Sequence, residues 1–531
     1  MCTEREPRQW WRGLVERLRR LGSDQSGATA ITFGLAMIPL IGFGGLALDY
    51  ARISLGRAEL QSAVDSAGLA LAHLPRSTSV PVLEQKARDW VDARLSGRGF
   101  GPVTITAVRA DTRVTFTAST TMELTLFRLI RDEPVEISAS NEVNASIGKV
   151  EIALVLDNTG SMVTGGSQRL TNLKSAGKSL ADRLEAAASD PSQVRVGVVP
   201  FSMTVNVGPE YASAPWIDAN GLSPINKELF YSKTAPNNQI SPSRFTLFAN
   251  MSRSWAGCVE GRPIPYDVQE TPPTAANPAT LFVPYFAVDE PDANSVSGAG
   301  PSYNDYLNDY ATGETKSTVW RERQGRIEKY NRAPVRSGTN SSTTYSIGPN
   351  AGCTLQPLLR LTSDMGAVRN KIESLTAVGD TNIGIGLIWG WHVLSPLGPF
   401  ADGVPYGTPN ITKYVVLMTD GENANWVSSN TNKSIYSGVG YIGQGRLGIT
   451  SGTAAQRTTA MNARLTTLCS NIKAAGIEIF TVGLEVTAAS KPLLTQCASS
   501  PDMFFDVVRA SDLNDAFNLI GDKISQMRLS K

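Results

Sequence analysis

The sequence predicts an α/β protein with a doubly wound, mostly parallel sheet and long insertions, preceded by one transmembrane helix and a small α+β unit. From residue 150 onward, short and nearly continuous runs of Val, Ile and Leu alternate with amphipathic stretches of helical spacing. Strands of this kind are typical of parallel sheets that helices cover on both faces. An uncharged run near the N-terminus predicts the transmembrane helix, and alternating residues between the two regions predict the small unit.

The N-terminal region is predicted to anchor the chain in a membrane. The first 26 residues form a basic tail with six arginines and four acidic residues. Residues 27–48 then run uncharged for 22 residues, and such a helix is about 33 Å long, enough to cross a hydrocarbon layer of about 30 Å. A secretory signal peptide is the alternative, but no small-residue cleavage site closes the apolar run. We therefore expect a retained single span with a cytoplasmic N-terminus and an exported bulk.

The cysteines are distributed as this topology requires. Cys2 precedes the predicted span, whereas Cys258, Cys353, Cys469 and Cys497 follow it. Because exported compartments are oxidising, this even number predicts two disulfides. Of the three connectivities, we prefer pairing Cys258 with Cys353 and Cys469 with Cys497. Four buried free thiols are the alternative.

Residues 49–147 are predicted to form a helical stalk and a small α+β region. Apolar residues at helical spacing continue from the predicted span directly into the stalk. After a break that contains proline, residues 83–95 are predicted to form a helix. Alternating patterns predict strands at 103–108, 113–127 and 135–145.

Residues 148–531 are predicted to form the larger α/β domain. Its strands are predicted at 150–156, 194–201, 414–419, 477–484 and 503–507, and its helices at 170–188, 364–375, 383–394, 455–475, 488–497 and 512–529. Such alternation implies parallel strands joined by crossover helices. Two stretches, about 204–350 and 424–454, interrupt it. They are rich in small and polar residues and are expected to be surface insertions.

Composition argues against two classes of function. The 49 basic and 48 acidic residues leave a net charge of +1, so nucleic acid is not an expected partner. The chain contains two histidines, His73 and His392, which leaves at most one per site as a general base. We therefore expect that the protein is not an enzyme.

Two further features receive no functional role. Asp289, Asp292 and Asn294 lack the glycine and the terminal glutamate of an EF-hand loop, so a solvated loop is expected there rather than a calcium site. His392 lies on a predicted helix and is expected to be packed or exposed on the surface.

Oxygen-bearing side chains follow the predicted strands at positions that suit a metal ion. Asp157, Thr159 and Ser161 occupy alternate positions after the first strand, Thr381 stands at the start of a helix, and Asp420 follows another strand. The carboxyl edge of a parallel sheet is where α/β folds place ligands. Carboxylates and hydroxyls are hard donors that suit Mg²⁺, with Mn²⁺ or Ca²⁺ as alternatives. A purely structural turn and helix start is the competing interpretation.

The spacing of these five residues resembles the metal-ion-dependent adhesion site of von Willebrand factor type A domains, which are Rossmann-like. The family motif D-x-S-x-S is matched by Asp157, Thr159 and Ser161, with Thr159 in place of the first serine. The resemblance implies a site in which two carboxylates balance the dication. It also implies an open coordination position that an acidic side chain of a protein partner fills.

A second resemblance covers nearly all of the exported part. The texts GATAITFGLAMIPLIGFGGLALDYARISLGRAELQSAVDSAGLALA, WAGCVEGRP, LFVPYFAVDEPD, GPNAGCTLQPLLRLTSD and TNIGIGLIWGWHVLSP resemble TadG-like proteins, relatives of the TadE and TadF pseudopilins of the Flp, or tight-adherence, pilus. Cleaved pseudopilins carry a glutamate where Thr32 stands, so an uncleaved anchor is expected.

The resemblance implies a bacterial inner-membrane protein whose exported domain takes part in pilus assembly or adhesion and whose partners are other pilus or envelope components. One alternative is a minor pilin-like subunit built into the pilus. A metal-dependent envelope hydrolase is less favoured, because no nucleophile and base stand out beside the metal loops. The oligomeric state is left open.

Overall fold

The computed structural model describes residues 26–71, 74, 78–110, 113–125, 128, 133–144, 148–188, 190–234, 239–292, 302–315, 319–340 and 345–530. The chain divides into two compact units, Met1–Ser146 and Ile147–Lys531.

The first unit begins with one long helix, α1, which spans Ser26–Leu71 and has 46 residues. Its Ile31–Leu71 portion contains a segment that is long and apolar enough to cross a membrane, and only 6% of that segment is buried. The predicted N-terminal apolar helix is therefore confirmed as a candidate membrane span or signal sequence. The helix continues without interruption through the predicted stalk.

The rest of the first unit consists of helix α2, Val80–Leu95, and strands β1, Thr104–Ala110, β2, Arg113–Met122, and β3, Val135–Asn144. The strands form an antiparallel sheet in the order β1-β2-β3. Every fourth residue of α2 from Leu83 to Leu95 is buried, which gives the helix one apolar face. That face shares a core with Leu60 and Val64 of α1 and Phe116 of β2.

A six-stranded sheet forms the centre of the second unit. Its strands in chain order are β4 Lys149–Asp157, β5 Val194–Phe201, β8 Leu359–Thr362, β9 Ile411–Thr419, β10 Ile477–Leu484 and β11 Phe504–Val507; β6 Val205–Asn206 and β7 Cys258–Val259 form a separate pair. The sheet order is β11-β10-β9-β4-β5-β8. All neighbours run parallel except β5 and β8, so the predicted α/β class with a partly parallel sheet is confirmed.

Helices cover both faces of this sheet. The α-helices in the described part of the second unit are α3 Arg169–Ala187, α4 Arg244–Asn250, α5 Trp320–Gly325, α6 Met365–Glu373, α7 Ile383–Leu394, α8 Ala454–Ala474, α9 Lys491–Cys497 and α10 Leu513–Ser530; α4 and α5 lie within the first insertion. Successive residues of β4 point to opposite faces. Leu154 shares a core with apolar residues of α3, α6 and α10, and Val155 shares another with residues of α7 and α8.

The two insertions contribute to the core of the second unit, so the expectation of purely surface insertions is wrong. Phe230, Phe286 and Tyr330 of the first insertion are buried, with ring centroids 5.6–6.2 Å apart. Tyr436 and Tyr441 of the second insertion are also buried. The burial of these aromatic residues could not be predicted from hydrophobic periodicity, because they are irregularly spaced and do not belong to one helix or strand.

Two disulfides stabilise the second unit. Cys258 of the first insertion is bonded to Cys353, and Cys469 of α8 is bonded to Cys497 of α9. This is the pairing preferred from the sequence.

The solvated loop expected around Asp289 is not formed. Asp289 is fully buried, and the Lys329 ammonium lies 2.7 Å from its carboxylate and 3.0 Å from that of Asp309. A buried ion network replaces the expected exposure. Asp292 is partly buried, and Asn294 lies outside the described residues. His392 is packed, as expected, with the rings of Phe282 and Trp389 each 5.3 Å away.

Candidate metal centre

Asp157 is the last residue of β4, and its side chain is completely buried. The Thr159 amide donates a hydrogen bond of 2.9 Å to Asp157 Oδ1, and the Thr419 hydroxyl donates one of 2.7 Å to Oδ2. Thr419 ends the neighbouring strand β9. Both carboxylate oxygens therefore have fixed positions at the carboxyl edge of the sheet.

A continuous chain of oxygen atoms joins the loop after β4 to the loop after β9. The hydroxyls of Thr159 and Ser161 lie 2.9 Å apart, and the Ser161 hydroxyl donates a hydrogen bond of 2.6 Å to Asp420 Oδ1. Asp420 directly follows β9, and its side chain is buried. Four of the five residues predicted from the sequence thus lie in one hydrogen-bonded group.

A backbone hydrogen bond holds the loop that precedes α7 against the loop after β4. The Gly160 amide donates to the Gly379 carbonyl at 2.9 Å, and Gly379 has a φ of 89°, a conformation that favours glycine. Thr381 follows in the same loop and is mostly buried. A β-carbon placed on Gly421 would lie 3.9 Å from the Thr381 hydroxyl oxygen, so this fifth predicted residue lies beside the Asp420 loop. Within the described residues, its hydroxyl makes no hydrogen bond to the other four.

Asparagines position the start of α7, which follows Thr381. The Asn382 side chain caps the helix by accepting a hydrogen bond of 3.1 Å from the Ile385 amide. The Asn423 side chain, from the loop after β9, accepts another of 2.8 Å from the Ile383 amide. Asn423 was not predicted, because an isolated loop asparagine gives no signal that it will contact a distant helix.

The site concentrates negative charge in a buried position. Burial, and secondarily repulsion from Asp420, raises the pKa of Asp157 above its ordinary value. The Arg169 guanidinium pairs with the second carboxylate oxygen of Asp420, with Nη1 2.9 Å from Oδ2. The same guanidinium places Nε 2.7 Å from Glu485 Oε2. Neither Arg169 nor Glu485 was predicted, since a charged residue at a helix start or strand end is usually solvated.

The donor set suits a hard cation. Oxygens that neighbour each other around six-coordinate Mg²⁺, with bonds near 2.1 Å, lie about 3 Å apart. The two oxygen–oxygen distances that involve Ser161 are 2.9 and 2.6 Å, close to that spacing. Within the described part of the chain, no group of three or more His, Cys, Asp or Glu residues could hold a metal ion. Any cation at this edge would therefore depend on hydroxyl oxygens as well as on the two carboxylates.

Comparison with known protein families gives one match. Residues 27–73 match the Tad family, whose members are described as Flp pilus-assembly TadE/G-like. The match supports a pilus-associated role, and with it contacts to pilus or envelope components. No curated protein matches the sequence.

Several solved structures of pilus proteins are similar to this chain at low TM-scores. The pilus adhesin SpaC from Lactobacillus rhamnosus GG is 12% identical, with a TM-score of 0.31, over 81% of this chain and 34% of SpaC. The vWF domain of the type V pili tip protein Mfa5 from Porphyromonas gingivalis is 10% identical, with a TM-score of 0.33, over 72% of this chain and 96% of that domain. The pilus adhesin RrgA from Streptococcus pneumoniae is 11% identical, with a TM-score of 0.33, over 79% of this chain and 49% of RrgA. These values are too low to assign a fold or a function.

Proposed function

We propose that this chain is a membrane-anchored, TadG-like protein of the Flp pilus whose exported von Willebrand type A domain binds an acidic protein partner through a divalent metal ion. The Tad match at residues 27–73 supports the pilus assignment. The observation that carries the binding proposal is one hydrogen-bonded group: the Thr159 amide donates to Asp157, and the hydroxyls of Thr159 and Ser161 lead on to Asp420.

The order of the strands supports the type A assignment. Strand β4 comes first in the chain and lies inside the sheet. The next two strands, β5 and β8, lie on one side of β4, and the last three, β9, β10 and β11, lie on its other side. This is a doubly wound order, and its reversal point lies between β4 and β9. Ligands of open α/β sheets bind in the crevice at such a point. Asp157 and Asp420 leave the sheet there.

Five residues would hold the cation, which we propose is Mg²⁺ in preference to Mn²⁺ or Ca²⁺: Asp157, Thr159, Ser161, Thr381 and Asp420. When bound, the metal would supply one open coordination position that attracts a carboxylate. Thr419 and the Thr159 amide serve the site by fixing the carboxylate of Asp157. We assign no catalytic step to these residues.

We place the protein in the bacterial inner membrane, with the uncharged N-terminal part of α1, residues 27–48, as its single span. The basic tail before α1 favours a cytoplasmic N-terminus. The disulfides Cys258–Cys353 and Cys469–Cys497 fit an oxidising, exported location for the second unit.

Thermal unfolding of the full-length protein in detergent, with Mg²⁺ or with chelator, tests the metal site. We expect Mg²⁺ to raise the Tm of the parent and of the control Asp506→Ala, in which the lost carboxylate is on β11 and pairs with Lys491. Asp157→Ala should lose the Mg²⁺ effect. An equal Mg²⁺ effect in Asp157→Ala would show that the assignment is wrong. Partner capture from envelope extracts, with and without chelator, tests the binding role.

A second candidate function is a minor pilin-like subunit. Residues 27–71 of the Tad match belong to α1, the element that would pack inside a fibre. Sheared pili should contain the protein if it is a subunit. They should lack it if it acts from the inner membrane.

A further inference from the structure

The carboxylate of Asp420 is shared between two donors. Its Oδ1 accepts a hydrogen bond from Ser161, whereas its Oδ2 lies 2.9 Å from Arg169 Nη1. The Asp420 side chain has no exposed surface, and the Arg169 side chain is 26% exposed. The positive charge of Arg169 therefore already balances Asp420, one of the two carboxylates that the proposed metal site needs.

Glu485 gives Arg169 a second anion to pair with. Arg169 Nε lies 2.7 Å from Glu485 Oε2, and the other oxygen of Glu485 accepts a hydrogen bond from the Ala510 amide. Glu485 comes directly after β10 and has a φ of 53°, which is unfavourable for a residue with a side chain. Strained backbone of this kind persists where the surrounding structure imposes it, and often at functional sites.

We infer that Arg169 is a built-in counter-ion that competes with the dication for Asp420 and so sets the metal affinity of the site. The inference rests on the proposed function. A dication held by Asp157 and Asp420 would place two more positive charges beside the guanidinium, and like charges repel strongly where water is scarce. Arg169 can release Asp420 at low cost because it keeps its pair with Glu485.

Substitutions at Arg169 and Glu485 should change the Mg²⁺ affinity in opposite directions. Arg169→Gln removes the competing charge, so the two carboxylates face the metal alone. Glu485→Gln removes the alternative partner, so Arg169 should remain on Asp420. Arg169→Lys keeps the charge and tests whether charge, rather than the guanidinium shape, sets the affinity. Arg183→Gln is the matched control, since Arg183 lies on the same helix and pairs with Asp522 at 2.6 Å.

The test is calorimetric titration of the full-length protein in detergent with MgCl₂. We expect Arg169→Gln to bind Mg²⁺ about tenfold more tightly than the parent and Glu485→Gln to bind it more weakly. The Lys variant should remain near the parent, and Arg183→Gln should be unchanged.

Failure of the inference and failure of the proposed function would give different results. If the parent binds Mg²⁺ but Arg169→Gln binds it equally or more weakly, Arg169 orients Asp420 instead of competing for it. If neither the parent nor any variant binds Mg²⁺, the proposed function fails first. Should Arg169→Gln not fold, an unchanged affinity in Glu485→Gln is by itself enough to reject the inference.

Discussion

Leu156 lies opposite Met418 in the adjacent parallel strands β4 and β9, so the loops that begin at Asp157 and Asp420 leave the sheet side by side. This register brings residues that are 263 positions apart in the sequence to the same edge. Ser161 then connects the two loops through its hydrogen bond to Asp420, while its hydroxyl also lies 2.9 Å from that of Thr159 in its own loop.

Ser161→Ala removes the hydroxyl at the centre of the oxygen chain. We expect the Mg²⁺ dissociation constant to rise about tenfold or more, because a proposed ligand and the partner that orients Asp420 are lost together. Titration calorimetry measures the change. Ser167→Ala is the control, since Ser167 lies in the same loop but donates to the Met162 carbonyl. Equal affinities in Ser161→Ala and the parent would remove Ser161 from the site.

Thr419→Val replaces a hydroxyl with a methyl group of similar size and leaves Asp157 Oδ2 without its donor. A hydrogen bond to a charged group contributes about 1.5–3 kcal/mol, so we expect a loss of that order in the free energy of unfolding. Thr481→Val is the matched control. Thr481 is equally buried but donates to the neutral Leu494 carbonyl, and its loss should cost only about 1 kcal/mol. Urea unfolding in chelator at pH 8 compares them, and equal losses would contradict an ionised Asp157.

The two disulfides close loops of different length, with separations of 95 residues for Cys258–Cys353 and 28 for Cys469–Cys497. By chain entropy, they contribute about 4–5 and about 3–4 kcal/mol respectively. We expect replacement of Cys258 and Cys353 by serine to lower the free energy of unfolding by about 1 kcal/mol more than replacement of the other pair. Urea unfolding of the two double variants decides the order, and the reverse order would contradict this explanation.

Glu290 should make stability depend on pH. Burial raises the pKa of Glu290 from 4.5 to about 7, against the opposing effect of hydrogen bonds from the Tyr303 amide, Asn430 and Tyr441. The folded state therefore binds a proton more tightly than the unfolded state does, and stability falls as pH rises from about 4.5 to about 7. A change of about 2–3 kcal/mol is expected over this window.

Glu290→Gln removes this dependence. His392, whose pKa burial lowers well below 6.5, has the opposite effect, since its contribution to stability is lost as pH falls. The difference between Glu290→Gln and the parent isolates Glu290. We expect the variant to gain stability relative to the parent as pH rises from 4.5 to 7, measured by urea unfolding in chelator. A constant difference across this range would show that Glu290 stays ionised in the fold.

The main strands of the second unit could be predicted because their chemistry is local. Residues 150–156, 194–201 and 477–484 are nearly continuous apolar runs, and strands buried on both faces must be so. Strand β8 was not predicted, because its four residues, LRLT, are mostly half-exposed and do not form a continuous apolar run. It pairs with β5 through contacts that no local pattern reveals.

The site could be predicted only in part, for the same reason. Asp157 and Asp420 each follow an apolar strand, and parallel strands end at a common edge, so their meeting could be expected. Arg169 and Glu485 reach this edge through side-chain contacts between distant elements. No spacing rule marks such contacts, and the metal itself stays a prediction.

Helix α1 runs unbroken for 46 residues, about 69 Å, which is more than twice the thickness of a hydrocarbon layer. Its distal half supplies Leu60 and Val64 to the core of the first unit. In the proposed topology, a pull on that folded unit would reach the bilayer along a continuous helix rather than through an unstructured linker. Tension would act on the intrahelical hydrogen bonds first, so the connection would lengthen little until those bonds broke.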